Sequence, residues 1–183
     1  MTTLRADIGG TRSRCALTGG DGSVSDIRVF DNAEYADPVT LLTGYLDGLP
    51  TDRRPASGLL AVAAPVRGDA VRMINIDWRF SADSLRRALG LERLSLLNDF
   101  EALALGLPGF GPSDLLPIGG GTALAERPKA VLGPGTGLGV ASLVPAGHDC
   151  GWLAVSGEGG HVTLPAVTPY EDRLIAAVRK RYG

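Results

Sequence analysis

The stretch LRADIGGTRSRCAL, residues 4–17, joins an apolar strand, a glycine-rich turn and a second strand. A similar arrangement, KAVLGPGTGLGVASL, returns at residues 129–143. Both turns carry a Gly-Thr pair between runs of strand-forming residues. Because the same device occurs twice, we expect two lobes that each bring one glycine hairpin to a shared cleft.

Strand and helix patterns follow each other along the rest of the chain. SGLLAVAAP, residues 57–65, is a continuous apolar run of the buried-strand type. FSADSLRRALG predicts a helix with Ser81 as its N-cap and Gly90 just past its end. GLPGFGPSD, residues 106–114, cannot extend a regular element. The pattern predicts an α/β chain with a mixed sheet and lobes at residues 1–108 and 109–183.

Composition excludes several classes of function. A formal net charge of -2 over 183 residues gives no broad attraction to nucleic acid or to anionic lipid. No apolar run approaches the roughly 20 residues that span a bilayer, so we expect a cytoplasmic protein. Cys15 and Cys150 are too few for a disulfide framework or a four-ligand metal site, and we expect free thiols.

The glycine hairpins are candidate phosphate sites. In GPGTGLG, glycines at every second position from Gly133 to Gly139 would share one face of bare backbone, where exposed N–H groups bind anions. Asp7, before the first turn, could face a phosphate across a divalent cation. A tight hairpin and a simple turn aspartate remain the alternatives. Neither hairpin matches the dinucleotide fingerprint or the P-loop.

Two polar groups lie outside the hairpins. In LSLLNDFEALALGLP, residues 94–108, Asn98 and Glu101 have the spacing of a capping box, which leaves Asp99 unexplained. Asp99 follows a strand, where α/β sheets place their ligands, and it could accept a hydroxyl proton. Glu158 and His161, separated by two glycines, offer a carboxylate and an imidazole on a flexible backbone, which suits a polyol.

Five segments in this order resemble motifs of the bacterial glucokinase family, within the superfamily of sugar kinases and actin-like ATPases. They are DIGGTRSRCAL, AVAAPVRGDAVRMINIDWRFS, LLNDFEALALGLP, GPGTGLGVASLV and GEGGH. The resemblance implies a ribonuclease H-like small lobe with a mixed sheet, followed by the beginning of a larger α/β lobe. It also implies ATP-dependent phosphorylation of the 6-hydroxyl of glucose.

The same resemblance assigns roles to residues. Asp99 would be the catalytic base, and Asn98, Glu158 and His161 would hold the other hydroxyls of the sugar. The ATP phosphates would lie on two loops, formed by Asp7, Ile8, Gly9, Gly10 and Thr11 and by Gly135, Thr136 and Gly137. Mg²⁺ would bind through the phosphates, near Asp7. Glucose or a related hexose and ATP are thus the expected partners, and a homodimer is considered because family members often dimerise.

The chain also departs from the family. Ile74 and Pro134 stand where threonine and alanine are common. Family members run well beyond Gly183 and carry the adenosine-binding segment there, so we expect residues 1–183 alone to phosphorylate glucose poorly or not at all. Two alternatives remain: a hexose or N-acetylhexosamine kinase of the related repressor/open-reading-frame/kinase group, and a non-catalytic sugar- or nucleotide-binding module. The first is disfavoured because no cysteine-rich zinc motif follows GEGGH.

Overall fold

The computed structural model of the protein describes residues 2–135, 137–147 and 151–183. Within them the chain forms ten strands in three sheets and four α-helices, linked by loops and short 3-10 turns. The strands are β1 (Thr3–Ile8), β2 (Arg12–Thr18), β3 (Val24–Asp31), β4 (Ser57–Val62), β5 (Ala70–Arg72), β6 (Arg79–Ser81), β7 (Arg93–Asn98), β8 (Lys129–Pro134), β9 (Leu138–Pro145) and β10 (Trp152–Gly157). The helices are α1 (Pro38–Asp47), α2 (Ala82–Ala88), α3 (Asp99–Gly106) and α4 (Pro169–Tyr182).

The largest sheet has five strands in the order β3-β2-β1-β4-β7. The first three strands pair antiparallel, whereas β1, β4 and β7 run parallel. This arrangement confirms the predicted mixed sheet. Parallel strands end at the same edge of a sheet, so the residues that follow β1, β4 and β7 are brought close together.

One face of this sheet carries the main core. Alternate residues of β1, namely Leu4, Ala6 and Ile8, are buried against α1 and α2. In α2, Leu85 is fully buried, and the buried residues of α1 are Pro38, Leu41, Leu42, Tyr45 and Leu46. Burial of this apolar surface is the main source of stability for such a layer.

The interpretation of residues 57–65 as a fully buried strand is wrong for half of its side chains. In β4, Leu60 and Val62 are buried, but Leu59 and Ala61 are only partly covered. The reason is that α1 and α2 cover only one face of the sheet, and on the other face Leu59 and Ala61 line an apolar cavity of about 330 Å³.

The second sheet has the order β10-β9-β8, all antiparallel, and α3 packs on it. Ala104 of α3 is buried with Ala141 and Leu143 of β9. Helix α3 follows β7 directly, so it joins the two sheets. The lobe boundary at residue 108 stays a prediction. Helix α3 precedes this boundary in the sequence, but it packs on the sheet formed by strands that follow the boundary.

Local capping signals act as predicted. The Ser81 hydroxyl accepts the N–H of Ser84 at 3.1 Å and starts α2. Gly90, just after that helix, has a φ of 68°, a conformation that glycine adopts without strain. Pro38 occupies the first turn of α1, where its missing N–H would have no partner in any case.

Two further observations concern membrane-spanning helices and the cysteines. Every helix in the described ranges is too short or too polar to cross a membrane. Cys15 is buried and free, and burial, assisted by the charge of Asp7, raises the pKa of its thiol to about 12. Cys150 lies outside the described residues.

Candidate active site

A cavity of about 650 Å³ lies where the two larger sheets meet, and we call it the cleft. Its walls come from the loops after β1 and β4, the junction of β7 with α3, the β8–β9 hairpin and the turn after β10. The structure brings eight predicted site residues into the cleft: Gly9, Gly10, Asn98, Asp99, Gly135, Gly137, Glu158 and His161. Segments far apart in the sequence thus line one space.

Three predicted site residues within the described ranges are not among those lining the cleft. Ile8 is fully buried in the core, so only its backbone could approach a ligand. Asp7 forms an ion pair with Arg14 at 2.9 Å and lines the apolar cavity on the open sheet face. Thr11 is exposed at the turn. Thr136 lies outside the described residues.

Asn98 shapes the junction between strand and helix. Its Oδ1 accepts the N–H groups of Phe100 at 3.0 Å and Glu101 at 3.2 Å, which caps α3. Its Nδ2 donates to the carbonyl of Ala64 at 3.2 Å and to Asp99 Oδ1 at 3.0 Å. An amide has two donors and about two acceptor positions, so Asn98 is already satisfied within the protein. A sugar hydroxyl would have to replace one of these bonds.

The expected capping box is only half formed. Asn98 caps the helix as predicted. The second bond of the box, in which the Asn98 N–H would donate to the Glu101 carboxylate, is absent at this junction. Asn98 is also the last residue of β7, paired with Val62 in the parallel ladder. Its backbone therefore belongs to the sheet, while its side chain serves the helix.

Asp99 is a half-buried carboxylate at the first position of α3. Burial raises the pKa of this carboxyl above its usual range; the N–H of Phe100 opposes the rise, and the negative charge of Asp7 adds to it. Oδ1 accepts the bonds from Asn98 and Phe100, each at 3.0 Å, whereas Oδ2 accepts none from the described residues. One carboxylate oxygen is held and the other is left for a ligand.

Glu158 and His161 line the same cleft as this junction. His161 Nδ1 is 3.1 Å from Glu158 Oε2, and both side chains are exposed. The glycines between them serve close packing rather than flexibility, which corrects the sequence interpretation. A Cβ on Gly160 would lie 2.1 Å from the carbonyl oxygen of Leu138, and one on Gly159 would lie 2.9 Å from Val140. The short 3-10 turn is thus pressed against β9.

The second glycine hairpin also differs from the expected bare face. Gly133 and Gly139 pair across β8 and β9, and Phe100 fills the space beside them. A Cβ on Gly139 would come within 1.9 Å of the Phe100 ring, and one on Gly133 within 2.7 Å. In contrast, a Cβ on Gly137 would meet no described atom within 4 Å. Gly137 thus leaves room for a ligand, while the base of the hairpin is a slot for an aromatic ring.

The sequence interpretation missed Phe100 and the Ala64 carbonyl. Phe100 occupies a position where any apolar helix residue fits the pattern, and its glycine partners lie more than thirty residues away. The Ala64 carbonyl holds the Asn98 amide, and a backbone group leaves no signal in the sequence. Asn75 was noted only as part of a motif, and its Cβ packs against Gly10 of the first loop.

Comparison with known proteins gives a consistent result. The glucokinase family model matches residues 4–183. The glucokinase of Paramagnetospirillum magneticum is 42% identical over 179 residues, which cover 98% of this chain and 56% of that protein. The bifunctional protein glk of Burkholderia pseudomallei is also 42% identical, but the match covers only 28% of it. The chain spans about half the length, or less, of the curated relatives it matches.

Solved structures support the fold. The crystal structure of glucokinase from an Antarctic psychrotroph has a TM-score of 0.82 and 32% identity, covering 99% of this chain and 57% of that one. A ROK family glucokinase from Streptomyces griseus, crystallised with glucose and AMPPNP, has a TM-score of 0.62 at 22% identity, over 90% of this chain and 51% of that one. The predicted actin-like ATPase fold is confirmed. With the family model covering nearly the whole sequence, this chain belongs to the glucokinase family.

Proposed function

We propose that this chain supplies the sugar-binding and phosphate-binding parts of an ATP-dependent glucokinase. The observation that carries the proposal is Asp99: a half-buried carboxylate with one oxygen uncommitted, in the same cleft as two glycine loops. We also propose that residues 1–108 and 109–183 belong to two lobes on either side of this cleft. A cytoplasmic location and a homodimer are part of the same proposal.

Asp99 would act as the base for the 6-hydroxyl of glucose. Its Oδ2 would accept the hydroxyl proton, while the bond from the Phe100 N–H keeps Oδ1 in place. The transition state of phosphoryl transfer is loose, so alignment of the hydroxyl matters early and the proton moves late. A raised pKa makes Asp99 a better proton acceptor than an ordinary carboxylate.

Glu158 and His161 would hold other hydroxyls of the sugar. Their mutual contact at 3.1 Å orients the imidazole, and both remain exposed to the cleft. A carboxylate accepts hydrogen bonds, and an imidazole donates or accepts, which matches the mixed demand of a polyol. Asn98 would join them by exchanging its bond to Asp99 for one to a hydroxyl.

The ATP phosphates would lie between Gly9 and Gly10 on one side and Gly135 and Gly137 on the other. The described residues hold no cluster of three or more His, Cys, Asp or Glu side chains suited to a metal ion. Mg²⁺ is usually bound through phosphates and one or two carboxylates. Asp7 is the candidate carboxylate, although Arg14 now pairs with it. Mg²⁺ would neutralise phosphate charge.

The test uses two proteins. The first is the chain itself. The second, which we call the joined kinase, consists of residues 1–183 followed by the part of the Paramagnetospirillum magneticum glucokinase that lies beyond its matching region. We expect the joined kinase to form glucose 6-phosphate with Mg²⁺ and ATP in a coupled assay, and the chain alone to show little or no turnover. The rates of ADP release with mannose and N-acetylhexosamines, compared with the rate with glucose, would show which sugar the joined kinase prefers. The proposal would be refuted by a folded joined kinase that releases no ADP with any of the hexoses tested.

A further inference from the structure

Two buried polar side chains lie behind the first glycine loop. Ser13 is 0% exposed and Asn32 is 1% exposed, and the described part of the chain holds no other buried polar or charged residue. The Ser13 hydroxyl donates to Asn32 Oδ1 at 2.7 Å, and Asn32 Nδ2 donates to the carbonyl of Gly9 at 2.8 Å. A buried polar group costs stability unless it is hydrogen-bonded, so Ser13 and Asn32 depend on these particular bonds.

The direction of the Asn32 amide is fixed by its partners. The Gly9 carbonyl can only accept a hydrogen bond, so it must face the Nδ2 group, and Oδ1 must face the Ser13 hydroxyl. The backbone N–H of Asn32 also donates to the carbonyl of Thr11 at 2.9 Å. Asn32 therefore holds the carbonyls on both sides of Gly10.

Holding a carbonyl also aims the next amide. In a trans peptide the C=O of one residue and the N–H of the next point in opposite directions. The Gly9 carbonyl points to Asn32, so the Gly10 N–H points away from Asn32. The Gly9 N–H is used in the turn, where it donates to the Arg12 carbonyl at 3.0 Å. Gly9 and Gly10 both line the cleft.

We propose that Asn32 is a positioning residue for the first phosphate loop: by holding the Gly9 carbonyl it aims the Gly10 N–H at the bound phosphate. This role rests on the proposed function, because it needs a phosphate beside Gly10. Ser13 acts one step further back, by keeping the Asn32 amide from rotating. Asn32 does not itself contact the ligand.

The informative variant is Asn32→Asp, which keeps the shape and the acceptor for Ser13 but replaces the donor to Gly9 with an acceptor. An acceptor facing a carbonyl favours rotation of the Gly9–Gly10 peptide. Ser13→Ala is a milder second variant. The matched control is Tyr45→Phe, which removes one hydrogen bond from a fully buried residue of the same core, to the Asp26 carbonyl at 3.1 Å.

The measurement is an NMR titration of the ¹⁵N-labelled chain with sodium tripolyphosphate. We expect a saturable shift of the Gly10 amide resonance in the unmodified protein and in Tyr45→Phe. In Asn32→Asp we expect binding to weaken by about tenfold, and in Ser13→Ala by roughly threefold, as loss of one oriented donor predicts. Melting temperatures of all variants separate binding from stability.

The outcomes separate the two ideas. If the unmodified chain shows no saturable shift at either glycine loop, the phosphate assignment of the proposed function fails and the role of Asn32 falls with it. If it binds tripolyphosphate and the Asn32 and Ser13 variants bind equally well, the positioning role alone is overturned. Should Asn32→Asp not fold, Ser13→Ala decides between the same outcomes. A loss of melting temperature with unchanged binding would assign Asn32 a purely structural role.

Discussion

At the scale of the residue, Asp99 is placed where the fold opposes its charge. The carboxylate is half-buried, and burial raises its pKa, with Asp7 adding to the rise. A carboxylate whose pKa is higher in the folded protein than in the unfolded chain binds its proton more tightly when folded. The ionised form therefore costs stability at neutral pH, and this cost disappears below the unfolded pKa of about 3.9.

Asp99→Asn is accordingly expected to stabilise the chain at pH 7. Asparagine keeps the Oδ1 acceptor for the Phe100 N–H and removes the charge. We expect the melting temperature to rise by about 1–3 °C, which corresponds to less than about 1 kcal/mol in a chain of this length. The rise should shrink as the pH is lowered, because the raised pKa lets the folded carboxyl take up its proton at a higher pH than the unfolded chain does. Scanning calorimetry between pH 4 and 7 makes the measurement.

Asp52→Asn serves as the control for that experiment. Asp52 is exposed in a short 3-10 turn and does not line the cleft, so its replacement should leave the melting temperature nearly unchanged. If Asp99→Asn lowered the melting temperature at pH 7 relative to this control, the ionised carboxylate would be stabilising. The account of the raised pKa would then be wrong.

At the scale of the element, the β8–β9 hairpin is tied to α3 through one aromatic ring. Phe100 follows the proposed base directly, and it lies in the slot between Gly133 and Gly139. The sequence predicted glycines on one face of a hairpin but not what covers them. Period-two spacing shows which residues share a face; it carries no information about a helix residue that approaches from another part of the chain.

Gly139→Ala should therefore destabilise the protein. The added methyl group would lie within 1.9 Å of the Phe100 ring, and overpacking of this kind usually costs about 1–3 kcal/mol. Phe100→Leu in the same chain should restore part of the loss by making room. Urea unfolding curves of the two single variants and the double variant measure the coupling.

Gly44→Ala is the matched control for the same substitution. Gly44 lies inside α1, and a Cβ there would meet nothing within 4 Å. Alanine is favoured over glycine in a helix, so this variant should gain about 0.5–1 kcal/mol. Equal effects at positions 44 and 139, or no rescue by Phe100→Leu, would contradict the proposed packing.

At the scale of the whole molecule, local sequence signals predicted helices and strands but not which faces of them are covered. Ser81 and Gly90 mark the two ends of α2 by their own local chemistry, so those ends could be predicted from the sequence. The apolar run in β4 could not reveal that helices cover only one side of the sheet. Coverage depends on the packing of distant elements, which local patterns do not encode.

The candidate site shows the same division. Asp99, Glu158 and His161 were predicted from their chemistry and Asn98 from the family resemblance, and the fold brings all four to one cleft. The bonds that hold the first loop, from Asn32 to Gly9, join residues 23 positions apart and carry no local pattern. Residues proposed to contact a ligand were thus easier to predict than those proposed to position them.

The central claim, that Asp99 is the base of a glucokinase, is tested most directly in the joined kinase. Glucose phosphorylation and glucose binding are measured for the unmodified protein and for Asp99→Asn. We predict that kcat falls by about 10²–10⁴ fold, the usual contribution of a general base, while the Kd for glucose changes by less than about tenfold. An Asp99→Asn joined kinase that keeps most of its kcat would contradict the claim.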